Sequence, residues 1–211
     1  MQQCVVERGT LWSLETDNGL PPACAARVEV VFKELEAGEI DDLAAAMSLS
    51  SSELIHRRLE NYRRCFILKV DGQIATYGWV THGIENVGEL ERIFHLDDDE
   101  AYIWDCVTQP AFQRQRCYSS LLSHIIYQLH HEGVARIWIG ASLPNDPSVR
   151  GFANAGFQPV IGLTYRRFYK LTLLWFREAS TAAPQLVSAA YRILVNNYEQ
   201  RFGRLAIGYK R

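Results

Sequence analysis

The sequence predicts a mixed α/β (α+β) fold, with a mostly antiparallel central sheet flanked by helices on both faces. Three observations carry this. Asp71-Gly72 separates two strand-like runs, CFILKV and QIATYGWVTHG, which is the pattern of an antiparallel hairpin. The run AYIWDCVT at 101–108, a periodic helix and the buried strand ARIWIGA at 135–141 form a strand–helix–strand unit, which implies a right-handed parallel crossover. The 211 residues are 48% hydrophobic and 22% charged with a formal net charge of −2, enough for one domain with a substantial core and unlike a disordered chain.

Taken in order, residues 1–26 read as an irregular arm or short hairpin, because Asp17-Asn18-Gly19 and Pro21-Pro22 interrupt any regular element. A strand is expected across Arg27–Leu35, with Val28, Val30 and Phe32 on one face. Short helices follow over Ile40–Met47 and from Ser51 or Ser52 to Tyr62, the second with serines able to cap its start. After the Asp71-Gly72 hairpin, the polar stretch 83–100 reads as a surface excursion. Beyond the turn PAFQRQR, apolar residues recur at Tyr118, Leu121, Leu122, Ile125, Ile126 and Leu129, one face of a helix that Gly133 ends. Asp146, as N-cap, and Pro147 open a shorter helix ending at Gly156. Residues 163–176 read as one long strand-like run. A helix from Pro184 to about Tyr198 carries Val187, Tyr191, Leu194 and Tyr198 on one face, making 177–211 a C-terminal helical extension of the single domain.

Charge and composition exclude several function classes. Near-neutrality argues against gripping nucleic acid along the whole surface. The runs Arg57-Arg58, Arg63-Arg64, Gln113-Arg114-Gln115-Arg116 and Arg166-Arg167 are short and read as solvated helix or strand edges. Five cysteines without metal-like spacing, two of them (Cys65 and Cys106) inside apolar runs, suit buried thiols in a reducing compartment. The N-terminus lacks the basic-then-apolar pattern of a secretory signal, and no apolar run approaches the roughly 18 residues a membrane span needs. A cytoplasmic protein with no nucleic-acid or membrane partner is therefore expected. The histidines His95, His124, His130 and His131 show no ligand-like spacing with acidic residues, so no metal is expected.

A turn that leaves a strand and opens a helix aims unpaired N–H groups in one direction, and such a terminus accepts phosphate. Here the turn carries a resemblance. Residues 103–122, IWDCVTQPAFQRQRCYSSLL, are similar to the acetyl-CoA-binding motif of the GNAT acyltransferase superfamily: strand, proline, aromatic residue, a Gln/Arg-x-x-Gly-x-Gly/Ala turn, then a helix with a leucine pair. Pro110, Phe112, Gln113, Leu121 and Leu122 fit. A second segment, Asn145-x-x-Ser148-x-Arg150-x-Phe152-x-x-x-Gly156-Phe157, resembles the family's Asn-x-x-Ala/Ser-x-x-x-Tyr-x-x-x-Gly-Phe. The resemblance spans about residues 27–175 and identifies the chain as a divergent member. Three positions depart from the pattern: Arg116 and Tyr118 stand where small residues are expected, and Phe152 where many members carry a tyrosine taken to protonate the leaving thiolate.

The resemblance implies acetyl-CoA or another acyl-CoA as donor, bound in a V-shaped opening between strands 101–108 and 135–141. Pantetheine would run beside Cys106, Val107 and Thr108. The turn Gln113, Arg114, Gln115, Arg116, Cys117, Tyr118 and Ser119 would hold the pyrophosphate, and Asn145 and Phe152 would complete the donor side. The acceptor would be a small-molecule amine or an amino-acid-like molecule, in a chain that could form a homodimer. Asp105 is the carboxylate best placed to hold or activate the acceptor, or else a satisfied structural group. In strict alternation it shares a face with Ile103 and Val107, with Cys106 facing the other way. Cys106 reads as an acyl-accepting nucleophile or as a small buried hydrophobe. His82, with an unperturbed pKa near 6.5, is a candidate for proton transfer or a surface histidine at a turn. Tyr165 is a candidate replacement for the missing phenol. Because Arg116, Tyr118 and Phe152 all depart from the pattern, a second reading is a non-catalytic module that binds CoA, an effector or a protein partner.

Overall fold

A computed structural model describes residues 5–90 and 92–209. Ten strands form one sheet in the order β11-β12-β10-β9-β1-β8-β7-β4-β3-β2. They are β1 (Val5–Glu15), β2 (Val31–Glu34), β3 (Arg64–Val70), β4 (Gln73–Thr81), β7 (Glu100–Thr108), β8 (Arg136–Ser142), β9 (Gln158–Phe168), β10 (Leu171–Glu178), β11 (Glu199–Phe202) and β12 (Leu205–Tyr209). β5 (Ile84–Val87) and β6 (Arg92–His95) make a separate two-stranded hairpin. Among the described residues every pairing is antiparallel except β7 with β8, which the crossover through α3 (Cys117–His131) makes parallel.

Local chemistry explains the well-predicted elements. Asp71 and Gly72 both take positive φ, 48° and 79°, which lets a two-residue turn follow the twist of β3 and β4. Leu121, Leu122, Ile125, Ile126 and Leu129 of α3 are fully buried against Phe66, Leu68, Ile103, Ile137 and Ile139, together with Phe152 of α4 (Asp146–Asn154). The opposite face carries α5 (Pro184–Leu194) over β9 and β10, and α1 (Ile40–Ala46) with α2 (Glu53–Glu60) over β3 and β4. Trp104 packs against both of those clusters and joins them.

The structure corrects several expectations. Residues 1–4 lie outside the described residues, but Val5–Glu15 is no irregular arm: it is an interior strand paired with β8 on one side and β9 on the other. The polar stretch 83–100 is not a surface excursion, because the β5–β6 hairpin buries Glu85, Arg92, Phe94 and Leu96. The run 163–176 is two strands folded back at Tyr169-Lys170, with Tyr169 at φ 57°. The C-terminal extension is only partly helical. α5 stops at Leu194, Tyr198 lies beyond it, and the β11–β12 hairpin then extends the sheet. Ser52 caps α2 without a side-chain hydrogen bond, and the N-cap of α4 is Asn145, one residue before the expected Asp146.

Candidate active site

β7 and β8 pair only from Glu100↔Arg136 to Ile103↔Ile139. Beyond that point β7 continues beside β4 as far as Thr76↔Thr108, while β8 continues beside β1 as far as Gly9↔Ser142. The strands part because β7 carries a bulge. The step from Trp104 to Val107 faces the shorter step from Trp79 to Tyr77, and Asp105 sits in the left-handed region at φ 43°. Strict alternation therefore fails here, and Asp105 and Cys106 both face the gap. Gly78 makes room: a Cβ there would lie 2.8 Å from the Cys106 Sγ.

The gap holds a cavity of about 620 Å³ that passes through the sheet. Tyr118, Asn145, Ser148 and Phe152 line it on the α3–α4 face. Arg58 of α2 and residues 85–88 of the small hairpin line it on the other. Tyr102–Cys106 and Ile139–Ser142 form its walls. Past Ile103 the edge of β7 facing the gap has no strand partner among the described residues, an arrangement that suits an extended ligand.

On the α3–α4 face the loop before α3 keeps a glycine-like backbone without glycine. Arg114 and Arg116 take φ 65° and 62°, and Arg116 is the N-cap of α3. Both side chains are exposed, so neither fills the turn, and the first-turn amides of α3 lack intrahelical acceptors. Arg27 fixes the loop from outside, donating its backbone N–H to the Gln115 carbonyl at 2.9 Å. Cys117 and Ser119 are buried in the first turn. The bulk of Tyr118 is absorbed by α4: its ring lies where a Cβ on Gly151 would collide with Cδ1 and Cε1. Asn145 accepts the Ser148 backbone N–H at 3.3 Å, and Phe152 is buried edge-on against Trp12.

On the other face Arg58 donates from Nη1 to Asp105 Oδ2 at 2.6 Å. Its guanidinium lies 4.9 Å from the ring centroid of Trp79 and 4.6 Å from that of Trp104. Glu85 is already saturated. It accepts two hydrogen bonds from Arg63, one from Thr81 and one from the Asn86 backbone. Asp105 lines the cavity with a side chain that is 29% exposed, and Arg58 engages its Oδ2. Burial, then the charge of Asp105, pushes the Cys106 thiol well above its ordinary range, which disfavours a thiolate there.

Of the residues expected from the sequence, Asp105, Cys106, Tyr118, Asn145 and Phe152 meet at one cavity. Gln113–Cys117 and Ser119 form the turn at its α3 rim. Val107 and Thr108 lie farther along β7, Thr108 hydrogen-bonded to Thr76. Tyr165 is not at the opening. It is fully buried in the α5 core with the Arg92 guanidinium 5.1 Å above its ring. His82 is exposed near Arg64 and Glu132, so neither residue lines the cavity. Arg58 was read as a solvated helix edge; its side chain is only 15% exposed and belongs to the site. Glu85, Ser148 and Gly151 were also missed as site residues. Among the described residues no helix is long and apolar enough to cross a membrane, and no group of three or more His, Cys, Asp or Glu is placed to hold a metal.

Comparison with known proteins agrees with this geometry. A sequence model of the Acetyltransferase (GNAT) family matches residues 32–157, more than half of the chain. The [Ribosomal protein bS18]-alanine N-acetyltransferase of Escherichia coli (strain K12) is 32% identical over 71 residues, covering 34% of this chain and 46% of that protein. The chain thus spans about half the length of the curated relatives it matches. An acetyltransferase from the GNAT family of Colwellia psychrerythraea superposes with a TM-score of 0.55 at 10% identity, covering 78% of this chain and 56% of that one. A GNAT-family acetyltransferase structure from Novosphingobium aromaticivorans superposes with a TM-score of 0.53 at 14% identity, covering 84% of this chain and 68% of that one. At those identities the likeness is one of fold.

Proposed function

The chain belongs to the Acetyltransferase (GNAT) family, and on that footing we propose that it transfers the acetyl group of acetyl-CoA to a primary amine. One observation carries the reading: the parted β7–β8 pair opens beside the first turn of α3, and the cavity between them runs through to the opposite face. The donor's phosphates meet the free amides and two cationic side chains of the turn Gln113–Ser119. Its extended arm bonds the exposed edge of β7 and carries the thioester toward Asp105. The amine enters from the α2 and β5–β6 side, where Arg58 holds Asp105 in place and the Asp105 carboxylate accepts the amine's proton.

The cavity's size and its mixed polar rim support a small amine or amino-acid-like acceptor. A free protein N-terminus is the second reading, favoured by the partial identity with an enzyme named for acetylating a ribosomal-protein alanine. Incubating the protein with acetyl-CoA, a panel of small amines and peptides with free N-termini, while following thiol release, tests both. Release with small amines supports the first, and release confined to peptides replaces it with the second. No release with any acceptor, together with no donor binding at millimolar concentration, contradicts the transferase reading.

A further inference from the structure

We propose that the acceptor amine carries a short aliphatic group beside its nitrogen and that a side pocket under the β5–β6 hairpin receives it. This inference rests on the transferase reading above. The pocket has a volume of about 60 Å³ and opens off the main cavity, with which it shares Tyr102 and Gly140–Ser142. Leu11, Phe94, Leu163 and Leu194, all buried, line it, and among the described residues no charged side chain does. Five of its lining residues, Gly9–Leu11, Leu163 and Leu194, fall outside residues 32–157, so the pocket is a feature of this chain and not of the segment the family model matches.

Two substrates meet in the main cavity, and the walls of the pocket decide which one reaches it. Leu11, Phe94, Leu163, Leu194 and Tyr102 belong to the apolar cluster beneath α5 and the hairpin. Tyr118, Asn145, Ser148 and Phe152, which line the main cavity on the donor's side, do not line the pocket. The pocket therefore opens on the face from which the amine enters. Its mouth at Gly140–Ser142 is on β8, across the gap from Asp105 on β7. An amine held at Asp105 has its substituents on the β8 side of that gap.

Gly140 keeps the pocket open. Its backbone lies outside the left-handed region, so its conformation does not call for glycine. A Cβ there would stand 3.4 Å from the Tyr102 hydroxyl, 3.5 Å from the Thr10 carbonyl oxygen and 3.9 Å from Leu11 Cδ1, in contact with three lining residues and without a clash. Interiors keep few voids larger than a water molecule, and this one opens where a substrate passes. Its apolar lining favours hydrocarbon, worth about fourfold in binding for each methylene buried. Its volume limits the size: an apolar cavity of about 150 Å³ takes a benzene ring, so this smaller one takes a few carbons and rejects a ring.

The test follows acetyl transfer from acetyl-CoA to the amides of glycine, alanine, norvaline, leucine and phenylalanine. Wild-type kcat/KM should rise about fourfold per added carbon up to about three or four side-chain carbons, then drop for phenylalanine amide. Gly140→Ala should lower the preference for leucine amide over alanine amide roughly fivefold, and Leu163→Val should move the optimum to a longer chain. Damage to folding would not shift the preference in opposite directions. In a second arm glycine amide is held fixed while the donor runs from acetyl-CoA to propionyl-CoA and butyryl-CoA, and no rise is expected. A rise there gives the pocket to the donor's acyl chain and overturns the proposal. A flat acceptor series, a maximum at phenylalanine amide, or no transfer to any of these amides by protein that binds acetyl-CoA also overturns it, and the transferase reading survives each of these. Protein that neither binds acetyl-CoA nor acetylates any amine removes that reading and the proposal with it.

Discussion

The two faces of the sheet are held by different chemistry. Under α3 the contact is apolar: five side chains of one helical stripe are fully buried against strand residues. Beneath α5 and the β5–β6 hairpin the apolar core is threaded by ions. Arg92 and Glu199 form a pair at 2.5 Å with both side chains fully buried. Glu100 is buried between Arg136 and Arg192, each at 2.8 Å. Apolar burial is non-directional and tolerates modest change. A buried ion needs its particular partner, since removing that partner strands a charge. The α3 face should therefore yield gradually to substitution and the α5 face abruptly.

The largest effect tests that contrast directly. Arg92→Met leaves Glu199 buried without its counter-ion and should cost about 3–5 kcal/mol in urea unfolding, and adding Glu199→Leu should recover much of it. A cost under about 1 kcal/mol would put the two faces on the same footing. At the site, Asp105→Asn should lower kcat about 100-fold, near 2.7 kcal/mol, with acetyl-CoA affinity unchanged by titration calorimetry. Equal losses in donor and acceptor binding would end the division of the cavity into a donor and an acceptor face.

Glu100 sharpens the comparison through pH. Burial alone would raise its pKa, but the Asp97 backbone and the two arginines outweigh it and hold the carboxyl below 4.5. Its contribution is therefore complete above that ordinary value and is lost as pH falls through the lowered one. Glu100→Gln should cost about 2 kcal/mol at neutral pH, and the gap to wild type should close in acid, as read from melting at stepped pH. A gap independent of pH would contradict this. Ile125→Val, on the apolar face, should cost about 1 kcal/mol with no pH dependence. Smallest is a gain. Arg116→Gly removes left-handed strain at φ 62° and should raise stability by about 0.5–1 kcal/mol, after allowing for a freer unfolded chain. Destabilisation would mean that the side chain's contacts outweigh the strain.

What could be read in the sequence follows the same division. The α3 stripe, the Asp71-Gly72 turn and the strands on either side of α3 declare themselves by spacing within a few residues. The α5 face does not, because the partners that make Arg92 and Glu85 buriable lie far off or on other elements: Arg92 meets Glu199 across 107 residues, and Glu85 meets Arg63. A segment rich in charge therefore read as surface. β1 escapes because the breakers that set the reading of residues 1–26, Asp17-Asn18-Gly19 and Pro21-Pro22, all lie beyond its end at Glu15. At the site, strand and motif residues were legible. Arg58 was not, because only the tertiary fold sets it between Trp79 and Trp104. Strict alternation misplaced Cys106, because the bulge at Asp105 cannot be counted from sequence.

The central claim is that the parted β7–β8 pair and the first turn of α3 together bind the acyl donor. Amide hydrogen exchange with and without saturating acetyl-CoA tests it most directly. Exchange should slow at residues 113–120 and 104–108, while the β11–β12 hairpin at the far edge of the sheet stays unchanged. Protection absent from both stretches, or confined to elements away from the opening, would contradict it.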